Sequence, residues 1–183
     1  RDIMDSGQFP VVRLTHIFRQ AQTSRIIMNA HRINEGKFPN LQNGKTDFFF
    51  IEDDDPEHAA GQIVELVRDR LPKFCHCPPT AIQVLTPMQK GIVGATNLNI
   101  ALQNALNPGD VCLYRSGRAF RVNDKVMQIR NNYDKEVFNG DIGVIEMLDA
   151  ENRELAVSFD GRKVSYDVTD LDELVHAYAI TIH

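Results

Sequence analysis

No stretch of the 183-residue sequence approaches the roughly 20 consecutive apolar residues that a membrane-spanning helix needs, so no membrane span is expected. The opening residues Arg1-Asp2-Ile3-Met4-Asp5 lack the basic and then apolar build of a secretory signal, which makes the cytoplasm the expected location. Cysteine is scarce: three residues, an odd number, argue against a disulfide scaffold and fit a reducing compartment. Two of them stand in Cys75-His76-Cys77, but tetrahedral zinc wants four ligands in wider-spaced pairs, and no second pair lies nearby, so no metal is assigned. Positive charge is in deficit, with 20 Lys and Arg against 25 Asp and Glu, which speaks against a free-standing nucleic-acid binder. No Ser, His and Asp set and no paired carboxylates stand out as a catalytic constellation. A complete nucleotide site is also missing. Gly44-Lys45-Thr46 imitates the end of a phosphate-binding loop, yet Pro39 stands where its first glycine belongs and an apolar run follows where a helix should open.

What is present is ordinary for a soluble protein, with 43% apolar and 25% charged residues, and the length allows one domain with an inserted module or two small domains. Val11 to Leu14 reads as a short strand and Phe48 to Ile51 as one buried on both faces. Asp53-Asp54-Asp55 before Pro56 marks a helix start, and that helix places Ala60, Ile63, Val64, Val67 and Leu71 on one face until Pro72 ends it. A strand at Ile82 to Leu85 and a helix carrying Gly94, Leu98, Ala101, Leu102 and Ala105 on one face complete a strand and helix alternation, which implies parallel strands.

From Asp110 the pattern changes to short alternating strands. Asp160-Gly161 is a two-residue hairpin turn that sets Val157 opposite Val164 and Leu155 opposite Tyr166, giving one apolar face. With Lys125 to Arg130 and Ile142 to Leu148 this predicts a small antiparallel barrel of about five strands, in the SH3-like size range. Val175 to Ile182 reads as a return to the parallel sheet, so the barrel, residues 113–170, is an insertion into an α/β fold formed by 1–112 and 171–183. Within it, Arg115, Arg118, Arg121, Lys125, Arg130 and Lys135 face only Asp124 and Asp134 in sequence, a locally positive stretch that is either a binding surface or a solvated face. Arg130-Asn131-Asn132-Tyr133 and Phe138-Asn139-Gly140 bracket a loop with the donors, charge and rings of a groove that tracks a single strand.

The stretch from Leu14 to Asn34 organises the chain. Phe18-Arg19-Gln20-Ala21, Ser24-Arg25-Ile26 and Asn29-Ala30-His31-Arg32-Ile33-Asn34 resemble the segment that opens the second motor domain of RecD-like superfamily 1 DNA helicases, relatives of the exodeoxyribonuclease V alpha subunit. The likeness continues through Gln83 to Gly91, Asn123 to Gln128, Phe138 to Gly143 and His176 to His183, in the family's order. It implies a RecA-like parallel sheet with an inserted SH3-like barrel, in a protein that hydrolyses ATP with Mg2+ to move along single-stranded DNA. It further implies that Arg19 is an arginine finger and that Arg19 and Gln20 face ATP bound on the first motor domain. Thr86, Met88, Gln89, Thr181 and His183, with Arg130, Asn131, Tyr133 and Asn139 of the barrel, are the implied DNA contacts. The family's phosphate-binding loop, its metal-binding acids and the turn after His183 are not in the sequence, which reads as a fragment of a longer protein. Asn123 stands where the family often has glycine. The competing expectation is a non-catalytic scaffold whose barrel recruits a protein or nucleic acid.

Overall fold

The computed structural model describes residues 2–12, 23–44 and 47–182, and the chain divides into two compact units, Arg1–Glu52 and Asp53–His183. The first unit holds helices α1 (Asp2–Asp5) and α2 (Arg25–Asn34). The start of α2 is capped twice. Ser24 Oγ accepts the Ile27 N–H at 3.2 Å, and the Asp47 carboxylate accepts those of Arg25 and Ile26 at 2.8 and 3.3 Å, placing negative charge at the positive end of the helix dipole. Of the strand expected at Val11 to Leu14, Val11 and Val12 are irregular and the rest lies outside the described residues.

Phe48 to Ile51 is not the buried strand its apolar run suggested. The Asn43 side-chain amide takes both backbone groups of Phe50, at 2.8 and 2.9 Å, where a neighbouring strand would have bonded, and Phe49, Phe50 and Ile51 are exposed.

The second unit opens with α3 (Pro56–Glu65), capped by Asp55. Its helix does not end at Pro72. A π-helical turn, Leu66–Arg70, widens the spiral so that the Leu71 N–H reaches Leu66 O, and α4 (Leu71–Cys75) carries the proline in its first turn, where no N–H is needed. His76 then closes α4 in the left-handed conformation, φ +53°, with Cys75 exposed beside it. Strand β1 (Val84–Thr86) and helix α5 (Ala95–Leu106) follow. Next come β2 (Leu113–Arg115), β3 (Arg118–Phe120), β4 (Lys125–Gln128), β5 (Ile142–Asp149), β6 (Glu154–Phe159), β7 (Arg162–Asp167), β8 (Leu174–His176) and β9 (Ala179–Thr181).

β1 and β9 pair in parallel, Thr86 beside Thr181, over a core of Val67, Leu98, Leu102, Tyr178 and Ala179. The other strands form a hairpin, β2-β3, and an antiparallel sheet in the order β7-β6-β5-β4-β8, around a core that includes Phe120, Val126, Val137, Ile145, Leu155 and Tyr166. The fold is therefore α/β with an SH3-like antiparallel part, whose edge strands β7 and β8 are not bonded to each other. The β6-β7 register pairs Val157 with Val164 and Leu155 with Tyr166, as the hairpin turn required. The strand expected over Val175 to Ile182 divides instead: β8 pairs with β4, the chain crosses at Ala177 and Tyr178, and only β9 joins β1. Among the described residues no helix is long and apolar enough to cross a membrane.

Asn123 has φ +70°, a left-handed conformation that glycine adopts freely and asparagine tolerates better than most residues. The asparagine suits this backbone conformation. Gly143 is required for a different reason. A Cβ there would lie 2.6 Å from both Ser158 O and Val157 Cγ1 on the neighbouring strand. Gly143→Ala is expected to cost about 1–3 kcal/mol through overpacking. Urea unfolding that leaves the midpoint in place would remove this account.

Candidate nucleic-acid interface

The loop from Pro87 to Gly94 leaves the carboxyl end of β1 and folds back into α5. Thr86 is buried, and its hydroxyl donates to Val93 O at 2.8 Å, so it shapes the loop from within. Gly94 completes the turn, because a Cβ would fall 2.5 Å from Lys90 C and O. Met88 is exposed, and Gln89 Nε2 donates to Thr96 Oγ1 at 3.2 Å. Gln89, Thr96 and Thr181 line a cleft of about 660 Å³ together with Ser116, Gly117, Arg118 and Ala119 of the β2-β3 hairpin and with Arg121 after it.

The chemistry of that cleft is one-sided. Amides and hydroxyls from Gln89, Thr96, Asn104, Ser116 and Thr181 stand with the two guanidiniums, and no carboxylate is among the lining residues. Most of the six cations in the positive stretch are nevertheless spent inside the fold. Arg115 donates to Asp172 at 3.0 Å and Lys135 to Asp170 at 2.5 Å. Lys125 is buried with Nζ 3.2 and 3.3 Å from the Thr80 and Ile82 carbonyls, and that burial lowers its pKa. Arg121 donates to Asn107 O at 3.0 Å and more weakly to Asn104, while its buried Nε has no acceptor among the described residues. Arg118 and Arg130 are left with no side-chain hydrogen bond or ion pair among the described residues.

Beside Ile129, which also lines the cleft, the second cluster begins. Asn131 Oδ1 accepts the Asn139 N–H at 2.9 Å, folding the loop across itself. Tyr133 and Phe138 meet edge to face at 5.9 Å and are 74% and 45% exposed. They are not among the residues of the SH3-like core. Val137, fully buried between them in sequence, is a core residue.

Two features escaped sequence reasoning. The short turn Asp170–Glu173 pins both loops: Asp170 holds Lys135, Asp172 holds Arg115 and Ser116, and Glu173 accepts from Gln128 at 2.8 Å and Asn132 at 3.2 Å. Its composition shows only an acidic run, and such a run is more often a solvated surface. The second is a buried polar hub. Asp124, fully buried, accepts from Gln103 at 2.6 Å, Asn107 at 2.8 Å, the Arg121 N–H at 2.7 Å and Tyr178 Oη at 2.9 Å, with His176 Nε2 3.3 Å away. Burial would raise this carboxyl's pKa, but the bonds from His176, Asn107 and Arg121 outweigh it and hold the group below the ordinary aspartate value. Tyr178 is pushed up by burial and by the Asp124 charge, which keeps its hydroxyl a donor.

Of the other expected site residues, Arg19, Gln20 and His183 lie outside the described residues. Among the described residues no three His, Cys, Asp or Glu side chains are placed to share a metal ion.

Comparison with known proteins gives a family match over residues 98–159, to the SH3 domain of ATP-dependent RecD-like DNA helicases. The chain is 36% identical over 174 residues to the ATP-dependent RecD2 DNA helicase of Deinococcus radiodurans, covering 95% of this chain and 23% of that protein. Thus it spans less than a quarter of that relative's length. Among solved structures it resembles a Pif1 helicase from Bacteroides, crystallised with ADP-AlF3 and single-stranded DNA, at a TM-score of 0.50 and 17% identity, over 94% of this chain and 42% of that one. That likeness is one of fold.

Proposed function

This chain belongs to the RecD-like DNA helicases, and from that premise we propose that it supplies the second motor domain of an ATP-driven enzyme moving on single-stranded DNA. On this reading residues 1–112 are the RecA-like part, completed within 171–183 by β9, and the inserted SH3-like part, 113–170, is extended by β8, which pairs with β4. The observation that carries the reading is the cleft: arginines, amides and hydroxyls without a carboxylate, in a chain of net charge −5. A surface so short of acids inside an acidic chain suits the phosphates of a strand. Exposed Tyr133 and Phe138 at its continuation suit stacking of bases.

ATP and Mg2+ would be held chiefly by the first motor domain. Arg19 would meet the γ-phosphate across the interdomain cleft, and Gln20 beside it would contact the nucleotide. Closure on ATP would move the loops at Met88, Gln89, Thr181 and His183 along the strand, converting hydrolysis into stepping.

Two measurements test this. The intact protein should hydrolyse ATP faster with single-stranded DNA, while this chain alone should not turn over. An intact protein that is inert with and without DNA would move the assignment to a non-catalytic scaffold. Second, replacing Asn131, Tyr133 and Asn139 together by alanine should weaken binding of a single-stranded oligonucleotide at least about tenfold, since stacking on one ring contributes roughly 1–3 kcal/mol. Unchanged affinity would exclude this loop from the path.

A further inference from the structure

Resting on the single-strand reading above, we propose that Arg118, held over the cleft by a latch on Asp172, is a backbone-phosphate contact. Arg118 opens β3 beside the turn of the β2-β3 hairpin and lines the same cleft as Gln89 and Thr181. Unlike Arg115, Arg121, Lys125 and Lys135, it makes no internal bond among the described residues. The Asp172 carboxylate feels the Arg118 charge but accepts no hydrogen bond from it, so the guanidinium's fork of donors is available for a phosphodiester.

The latch explains why the hairpin holds that side chain there. Asp172 receives Arg115 Nε at 3.0 Å on one carboxylate oxygen and Ser116 Oγ at 2.6 Å on the other, so the end of β2 and the first residue of the turn are held by one carboxylate. Ser116 and Gly117 both adopt positive φ, +49° and +76°, and the tight turn delivers Arg118 on the cleft side. Asp172 is thus a positioning residue. It is not among the residues that line the cleft.

The test uses the intact protein and a fluorescent oligothymidylate titrated at several salt concentrations. Arg118→Ala should weaken binding about tenfold, as expected for loss of one charge-assisted hydrogen bond. It should also shallow the slope of log K against log salt by about 0.7, the share of one phosphate on a single strand. Arg118→Lys should keep the slope and recover only part of the affinity. Lys163→Ala, which removes the same charge from exposed β7, should leave the slope in place.

Asp172→Asn gives a result of diagnostic sign. Removing a negative charge strengthens binding if only bulk electrostatics matter, whereas loss of the latch weakens it. Tighter binding by that variant overturns the positioning role. Strand affinity and slope unchanged in Arg118→Ala, or a loss confined to ATP affinity, overturns the contact while leaving the single-strand reading intact. Failure of the unmodified protein to bind the oligonucleotide overturns both.

Discussion

Asp124→Ala is expected to destabilise the chain by about 3–5 kcal/mol, the scale for removing one member of a buried charged network. The side chain is fully buried, and its loss would strand donors on Gln103, Asn107, Arg121 and Tyr178. Those donors come from α5, from the connection between β3 and β4, and from the crossing between β8 and β9, so one carboxylate ties the SH3-like sheet to the parallel pair. Urea unfolding followed by circular dichroism would measure the loss, as the sequence has no tryptophan to report it. Less than about 1 kcal/mol would mean that the donors find other partners.

The pH dependence follows in sign. The folded-state pKa of Asp124 is lowered, so its contribution is fully present above the ordinary aspartate value and is lost as pH falls through the folded value. Asp124→Ala should flatten this part of the acid limb. The half-buried Asp172 carboxyl is held down to about 2 by the Arg115 and Ser116 bonds, which leaves the hairpin latch ionised across the neutral range.

The largest expected effect on activity is at Arg19. On the motor-domain reading, Arg19→Ala in the intact protein should reduce DNA-stimulated ATP hydrolysis by roughly 10³- to 10⁵-fold, the range for removal of an arginine finger. ATP affinity should change only a few-fold, because the finger acts on charge that develops in the transition state. Steady-state turnover with a parallel nucleotide-binding titration separates the two. Near-normal turnover would remove Arg19 from catalysis, and a matched loss of binding would make it a ground-state contact.

Much of the organisation was legible because it is local. The Asp160-Gly161 turn and the alternation on either side of it set the register of β6 and β7, and Asp55-Pro56 set the start of α3. Failures occurred where a local rule met a distant partner. The apolar run at Phe48 to Ile51 has strand composition, but a strand needs a ladder, and the Asn43 side chain takes that backbone bonding instead. Pro72 should stop a helix, but a π turn before it provides the room.

The candidate site divides in the same way. Family motifs singled out Met88 and Gln89, and the donors, charge and rings of one loop singled out Tyr133 and Asn139, since these residues sit in contiguous words of sequence. Charge counting singled out a positive stretch but not which cations are free. Only tertiary structure decides that Arg115 and Lys135 are paired, that Lys125 is buried against carbonyls and that Arg118 faces the cleft. The same holds for Asp124, an acid in a basic stretch until residues from 103 to 178 close around it. The sequence by itself determined the periodicities, turns and caps, because those depend on neighbours a few bonds apart. The fate of each charge belonged to the fold, because a charge is settled by whichever group packing brings within about 3 Å of it, however far along the chain that group lies.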